Sequence, residues 1–283
     1  MNVLLTGSSG HIGSAIAARF IAAGARVRGI DLRPGPHTTH IGDIAEAGLV
    51  ARVADGVDAI VHTAAWHAPH VGRVSDGEFR RVNVDATRAL LEAAVTAGIP
   101  RFVLTSTTSV YGCTTRTGPP AAWVTEALVP NPEDVYDATK LAAEEHCREA
   151  ARGGLTTVVL RVSRCFPESE PLVAFYRMFR GVDRRDVADA HWQALTMPLD
   201  GASILNVSAE PPFQRADADA LWDDPWSVID RRAPGVRAEF ERHGWPLPAR
   251  VDRVYMIEAA KEMLGYQPKH GIHDLLGLDW MRG

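Results

Sequence analysis

The apolar positions of the first thirty residues change period twice. Val3 to Leu5 is a short apolar run that stops at Thr6 and Gly7, and Ile12 to Ala23 then carries apolar residues at helical spacing, which predicts strand, tight turn and helix. Gly24 closes that helix and Arg26 to Ile30 forms a second strand ending at Asp31, so the opening segment is one βαβ unit. The alternation continues. Strands are expected near Asp58 to Thr63, Arg101 to Thr105 and Thr156 to Val162, with helices near Asp76 to Ala97 and Asp134 to Ala151. Strands alternating with helices predict a parallel sheet covered on both faces, because each parallel crossover lays a helix against the sheet. The expected class is α/β.

After Arg161 the pattern loosens. Pro167, Pro171, Pro198, Pro211 and Pro212 break it, leaving short helices and a strand near Ile204 to Val207. This predicts a sheet domain over residues 1–165, with 184–208 returning to it, and a smaller lobe made of 166–183 and 209–283. Trp222, Trp226, Trp245 and Trp280 fall in that C-terminal stretch, where packing a small core is the expected role.

Composition narrows the partner. The chain has 283 residues, 46% of them hydrophobic and 23% charged, as in an ordinary globular protein. A formal charge of −5 with no basic block argues against nucleic acid, whose binding rests on lysines and arginines that neutralise phosphates. A small molecule is expected instead. Cys113, Cys147 and Cys165 are an odd, sparse set that suits a reducing, cytoplasmic setting. The first apolar run is cut by glycines and has no basic segment before it, so neither a signal peptide nor a membrane span is expected.

The turn Thr6-Gly7-Ser8-Ser9-Gly10-His11-Ile12-Gly13 follows a strand and opens a helix, the context in which such glycines bind a dinucleotide. Gly7 permits the tight turn, Gly10 lets the backbone approach a pyrophosphate, and Gly13 allows close helix packing. The helix N-terminus offers amide donors to the phosphates. Asp31 ends the second strand, where a carboxylate accepts hydrogen bonds from the adenosine ribose and repels a 2′-phosphate. NAD is expected over NADP, although Arg33 stands close enough to hold a phosphate. The sheet is accordingly expected to be a Rossmann-type doubly wound parallel sheet.

Tyr136 and Lys140, four residues apart on a predicted helix, share one face. A phenol is a poor base at neutral pH, and a neighbouring ammonium favours its ionised form. Thr105-Ser106-Thr107-Thr108-Ser109 places hydroxyls at the carboxyl end of a strand, where open α/β sheets bind ligands. Taken with Val110-Tyr111-Gly112, these features resemble the extended short-chain dehydrogenase/reductase family, the NAD-dependent epimerase/dehydratase group.

The resemblance covers nearly the whole length and implies further assignments. Gly42-Asp43-Ile44 looks like the adenine contact, His62-Thr63-Ala64-Ala65 like the fourth-strand motif, and Asn83-Val84 like the helix that follows. The cofactor set then comprises Gly7, Ser9, Gly10, His11, Ile12, Gly13, Asp31, Asp43, Ile44, Thr63, Ala64, Ala65, Asn83, Tyr136 and Lys140. Tyr136 is implied as the acid/base, Lys140 as its modulator and the holder of the nicotinamide ribose, and Thr107 as the residue in the place usually held by serine. Ser106 or Thr108 is an alternative for that last role. His67 lies where family members present a substrate-facing side chain, or is satisfied on its loop. His67 and His70 lack a third ligand at a recognised spacing, so no metal is expected.

The segment between Arg161 and the helix expected near Asp186 is short, whereas nucleotide-sugar enzymes of the family carry a longer insertion there. Arg164-Cys165-Phe166-Pro167-Glu168, followed by Tyr176-Arg177-Met178, resembles uronate dehydrogenases. Arg177 is thus a candidate carboxylate anchor and Arg164 a substrate neighbour, a guanidinium being suited to two parallel hydrogen bonds. The expected activity is NAD-dependent oxidation of a hydroxyl on a sugar or sugar acid. The alternative is an epimerase or dehydratase that recycles NAD internally. A non-catalytic NAD sensor on the same fold is a third class, marked by loss of the tyrosine or lysine. The resemblance also implies a homodimer.

Overall fold

The computed structural model describes residues 1–46, 48–116 and 118–278. Strand β1 (Asn2–Thr6) is buried from Val3 onward and lies inside a seven-stranded sheet. The other strands, in chain order, are β2 (Arg26–Asp31), β3 (His40–Ile41), β4 (Ala59–His62), β5 (Arg101–Thr107), β6 (Ala122–Val124), β7 (Thr156–Val162), β8 (Ala202–Val207) and β9 (Arg253–Tyr255). The sheet runs β3-β2-β1-β4-β5-β7-β8 with every pairing parallel. Strand order reverses direction between β1 and β4, which opens a crevice at their carboxyl ends. The doubly wound architecture expected from the alternation is present.

Helix α1 (His11–Ala22) covers one face by burying Gly13, Ile16, Ala17 and Phe20, one stripe of a 3.6-residue repeat. Four helices follow: α2 (Leu49–Ala54), α3 (Asp76–Arg80), α4 (Ala86–Thr96) and α5 (Val135–Arg152). Then come α6 (Glu170–Arg177), α7 (Arg184–Thr196), α8 (Ala218–Asp223), α9 (Pro225–Arg232), α10 (Val236–Arg242), α11 (Glu258–Leu264) and α12 (Ile272–Leu276). One apolar cluster joins α1, α7 and α11 to the sheet, and a second joins α2, α4 and α5 to its other face. A third gathers α6, α9, α10 and β9, with Phe175, Trp226 and Phe240 at its centre. Trp226 is buried there and donates from its indole to the Pro248 carbonyl at 3.0 Å, while Trp245 packs edge-on against Phe240. Trp222 lies beneath the Arg250 guanidinium, and Trp280 falls outside the described residues. No described helix is long and apolar enough to cross a membrane.

Among the departures from the sequence reading, which include β3 and α2 between Asp31 and Asp58, two bear on the site. The single helix expected over Asp76 to Ala97 is α3, a five-residue π-turn at Arg81–Asp85, and α4. Such widened turns mark places where a side chain needs re-aiming, and here Asn83 is turned to bond the Trp66 backbone and Thr139. The short pairing of β6 with β9 also escapes the pattern, because it joins segments far apart in sequence and brings Ala121 onto the third cluster.

Helix α5 is fastened by a buried ion pair. Arg161 on β7 donates to Glu144 through Nε at 3.0 Å and Nη2 at 2.7 Å, and Ser106 on β5 donates to the same carboxylate at 2.6 Å. Glu144 is 0% and Arg161 2% exposed, so neither charge has water as an alternative partner. Removing one member of a buried pair strands the other at a cost of about 3–5 kcal/mol, whereas an apolar replacement of both is often close to neutral. Glu144→Ala is therefore expected to lose that much stability in urea unfolding, and the double variant Glu144→Leu with Arg161→Met to lose much less; equal losses would contradict this account.

Candidate active site

The carboxyl ends of β1, β4, β5 and β7 open into one cavity of about 800 Å³, well within the range of roughly 300–1,000 Å³ common for small-molecule sites. At one end is the glycine turn. Gly7 has φ +72° and donates from its backbone to the Ile30 carbonyl at 2.8 Å. A Cβ there would stand 2.6 Å from Thr63 Oγ1, and one on Gly13 would overlap the Gly7 carbonyl, so these two glycines set the spacing of β1, β4 and α1. Gly10 differs: beyond the Gly7 oxygen at 3.1 Å an added Cβ meets only open space, on the wall of the cavity. No side chain caps α1, which leaves the first amides of the helix without intrahelical acceptors, and Gly10 to Gly13 at its start line the cavity.

Asp31 closes this end, its two oxygens fixed at 3.0 Å by the amides of Ser9 and Arg33. Asp43 is held by the Arg81 guanidinium at 2.7 Å and the Ala45 amide at 2.9 Å. Thr63 donates to the Thr6 carbonyl at 2.6 Å, and His62 is locked between the hydroxyls of Thr6 and Thr87. Burial and the Lys140 charge push His62 down to about 3, so it stays neutral and serves packing. His11, Ile12, Ile44, Ala64 and Ala65 complete this wall.

The other end carries the reactive side chains. Tyr136 and Lys140 project from the first turns of α5, whose start is fixed by Asp134 accepting from the Asp137 amide at 2.9 Å. Thr107 ends β5 and its hydroxyl accepts from the Ser109 amide at 3.1 Å. Tyr136, Lys140, Thr107 and Thr108 all line the cavity. Burial drives the Tyr136 phenol well above its ordinary value, the Thr107 hydroxyl opposes this, and Asp137 and Asp134 add to it. The Lys140 charge is felt by His62 and His67. Burial brings Lys140 itself down to about 8, against the pull of Glu144 one turn along α5. His67 lies 6.1 Å from Tyr136, ring centre to ring centre, and burial lowers it to about 4, making it a neutral donor or acceptor.

Three of the residues expected at the site do not line the cavity. Asn83 stands behind its wall, holding the Trp66 loop to α5. Ser9 turns its hydroxyl to the Arg33 carbonyl and Thr38. Arg177, expected to anchor a carboxylate, is 6% exposed and spent on Asp183 and the His270 carbonyl, beside a separate small pocket. Arg164 reaches the cavity wall but is paired with Glu168 at 2.7 and 2.6 Å. Trp66, Phe166, Arg180, Arg253 and Tyr255 also line the cavity and were missed. Their positions come from loops and from the β6–β9 pairing, which carry no periodic signal.

Residues 3–172 match the NAD dependent epimerase/dehydratase family. The dTDP-glucose 4,6-dehydratase of Streptomyces antibioticus is 34% identical over 333 aligned positions, covering 100% of this chain and 92% of that protein. The chain belongs to this family. The uncharacterized protein y4nG of Sinorhizobium fredii is 32% identical over 166 residues, which is 56% of this chain and 39% of that one, so the chain spans well under half of that relative. Among solved structures, MoeE5 in complex with UDP-glucuronic acid and NAD shares the fold with a TM-score of 0.72 at 24% identity, covering 100% of this chain and 99% of the other.

NAD is the cofactor of the epimerase/dehydratase family, and the residues present fit it. The uncapped start of α1 suits a pyrophosphate, the missing Cβ of Gly10 lets it come close, and the Asp31 carboxylate keeps lone pairs for ribose hydroxyls. Lys140 offers a test that needs no substrate. Below pH 8 it is protonated folded and unfolded, and the folded state bears the full cost of burying it. Between pH 8 and its ordinary value of 10.5 the unfolded chain binds more protons, so stability rises with pH. Lys140→Met is expected to be more stable than the parent at pH 7 by up to about 3 kcal/mol, with the gain shrinking toward pH 10 in urea unfolding. An unchanged difference across that range would refute the burial cost.

Proposed function

We propose that the protein is an NAD-dependent oxidoreductase acting on a hydroxyl of a sugar or sugar acid. The reading rests on one observation: Tyr136, Lys140 and Thr107 line the same cavity as the glycine turn and Asp31. Bound NAD supplies the hydride acceptor. Thr107 orients the substrate hydroxyl, and Tyr136 accepts its proton as the C–H hydride leaves. Lys140 holds the nicotinamide ribose and, as the nearest cation on α5, favours the ionised phenol once substrate and cofactor bring the groups together. Neutral His67 offers a hydrogen bond across from Tyr136.

A compact substrate fits the connection after β7, where residues 163–183 hold a single eight-residue helix. The dehydratase alignment is longer than this chain, so that relative carries segments this one lacks. The second reading, an epimerase or dehydratase that returns the hydride before product leaves, is favoured by the same relative and by the family itself. The homodimer and the cytoplasmic setting belong to this proposal too, supported by family membership and by three cysteines that are all free.

Incubating the protein with NAD and a panel of free uronates, aldoses and nucleotide sugars, while following nicotinamide absorbance and sugar identity, separates the readings. Stoichiometric NADH is expected; sugar conversion without it would rule out net oxidation. Tyr136→Phe is expected to lower turnover about 10²–10⁴-fold with NAD affinity kept, and full activity in that variant would sink the mechanism.

A further inference from the structure

The arginines at the reacting end of the cavity differ in one respect. Arg116 is paired with Glu133 at 2.9 Å, Arg164 with Glu168, and Arg253 with Asp252 at 2.6 Å. Arg180 lines the same cavity, yet among the described residues it forms no ion pair, and its Nε is buried without a hydrogen-bond partner. A guanidinium nitrogen stripped of water and left unmatched costs free energy that the fold does not recover locally. Its position is nevertheless enforced. The guanidinium lies 4.3 Å from the centre of the Tyr176 ring and 5.6 Å from that of Phe179, and the Arg180 carbonyl accepts from the Arg164 amide at 2.9 Å. Arg164 rests against the same Tyr176 ring at 5.0 Å, but Glu168 already neutralises it. Stacking on aromatic faces holds a cation in place without consuming its in-plane N–H donors. The result is a fixed guanidinium, without an ion-pair partner among the described residues, on the wall of the cavity.

We propose that Arg180 is the specificity residue of this site, and that it selects a sugar bearing an anionic group, which docks on its guanidinium. This rests on the reading of the cavity as a sugar site and replaces Arg177, whose donors are committed elsewhere, as the anchor. The anion is either a carboxylate on the sugar ring or the diphosphate of a nucleotide-linked sugar; both present the paired oxygens that a guanidinium meets with two hydrogen bonds. Neutral hexoses bring no charge to the guanidinium and bind poorly.

Isothermal titration of the full chain, saturated with NADH so that no hydride can be accepted, with D-glucuronate, D-glucose and UDP-glucose tests this without turnover, so a failure of the proposed oxidation leaves it standing. The charged ligands, or one of them, are expected to bind at least about tenfold tighter than glucose. Tight glucuronate binding identifies the carboxylate as the anion, and tight UDP-glucose binding the diphosphate. Arg180→Gln is expected to remove that advantage while leaving NAD and glucose binding as they were, and Arg180→Lys to keep part of it. Glucose binding as tightly as both charged ligands, no binding of either charged ligand, or an Arg180→Gln variant that keeps the full preference would overturn the proposal. The comparison of ligands on the parent protein decides it even if the variants fold poorly.

Discussion

The site depends on the ion pair between Arg161 and Glu144. The carboxylate is gripped by β7 through Arg161 and by β5 through Ser106, and it sits one turn beyond Lys140 and two beyond Tyr136 on α5. Thr107 is the next residue along β5 from Ser106. One buried carboxylate therefore fixes the distance between the phenol, the ammonium and the hydroxyl at the carboxyl edge of the sheet. Its charge also opposes the loss of the Lys140 proton in a place where burial favours that loss. The same group that locks the helix in register thus biases the electrostatics of the reacting end.

The cofactor end is built on different physics. There the constraint is steric: Gly7 and Gly13 have no room for a side chain against β4 and the turn itself, while Gly10 faces space. The helix start is left uncapped and the Asp31 oxygens are oriented by backbone amides, so binding groups are set in place by the chain's own turn. Little reorganisation is then needed when a dinucleotide arrives, which preserves binding free energy.

Much of this was legible in the sequence, because the βαβ unit, the glycine spacing and the four-residue step from Tyr136 to Lys140 are local patterns with local consequences. The seven-stranded parallel sheet follows from their alternation. What the sequence did not reveal depends on partners distant along the chain. Arg177 and Arg180 are three residues apart and chemically identical, yet one is consumed by Asp183 and the His270 carbonyl while the other faces the cavity. The π-turn at Arg81–Asp85 and the β6–β9 pairing are likewise tertiary outcomes that periodicity does not encode. The burial of the Tyr136 phenol is a tertiary outcome too, since helical spacing predicts a shared face and says nothing about how deeply that face is buried.

The central claim is that one cavity joins the glycine turn to Tyr136, so that a dinucleotide bound at the first presents its nicotinamide to the second. A crystal structure of the chain soaked with NAD tests this most directly. The account predicts the adenosine ribose on Asp31, the pyrophosphate at the start of α1 and the nicotinamide ribose beside Lys140, with the ring facing Tyr136. NAD bound elsewhere, or with its nicotinamide turned away from Tyr136 and Thr107, would contradict it.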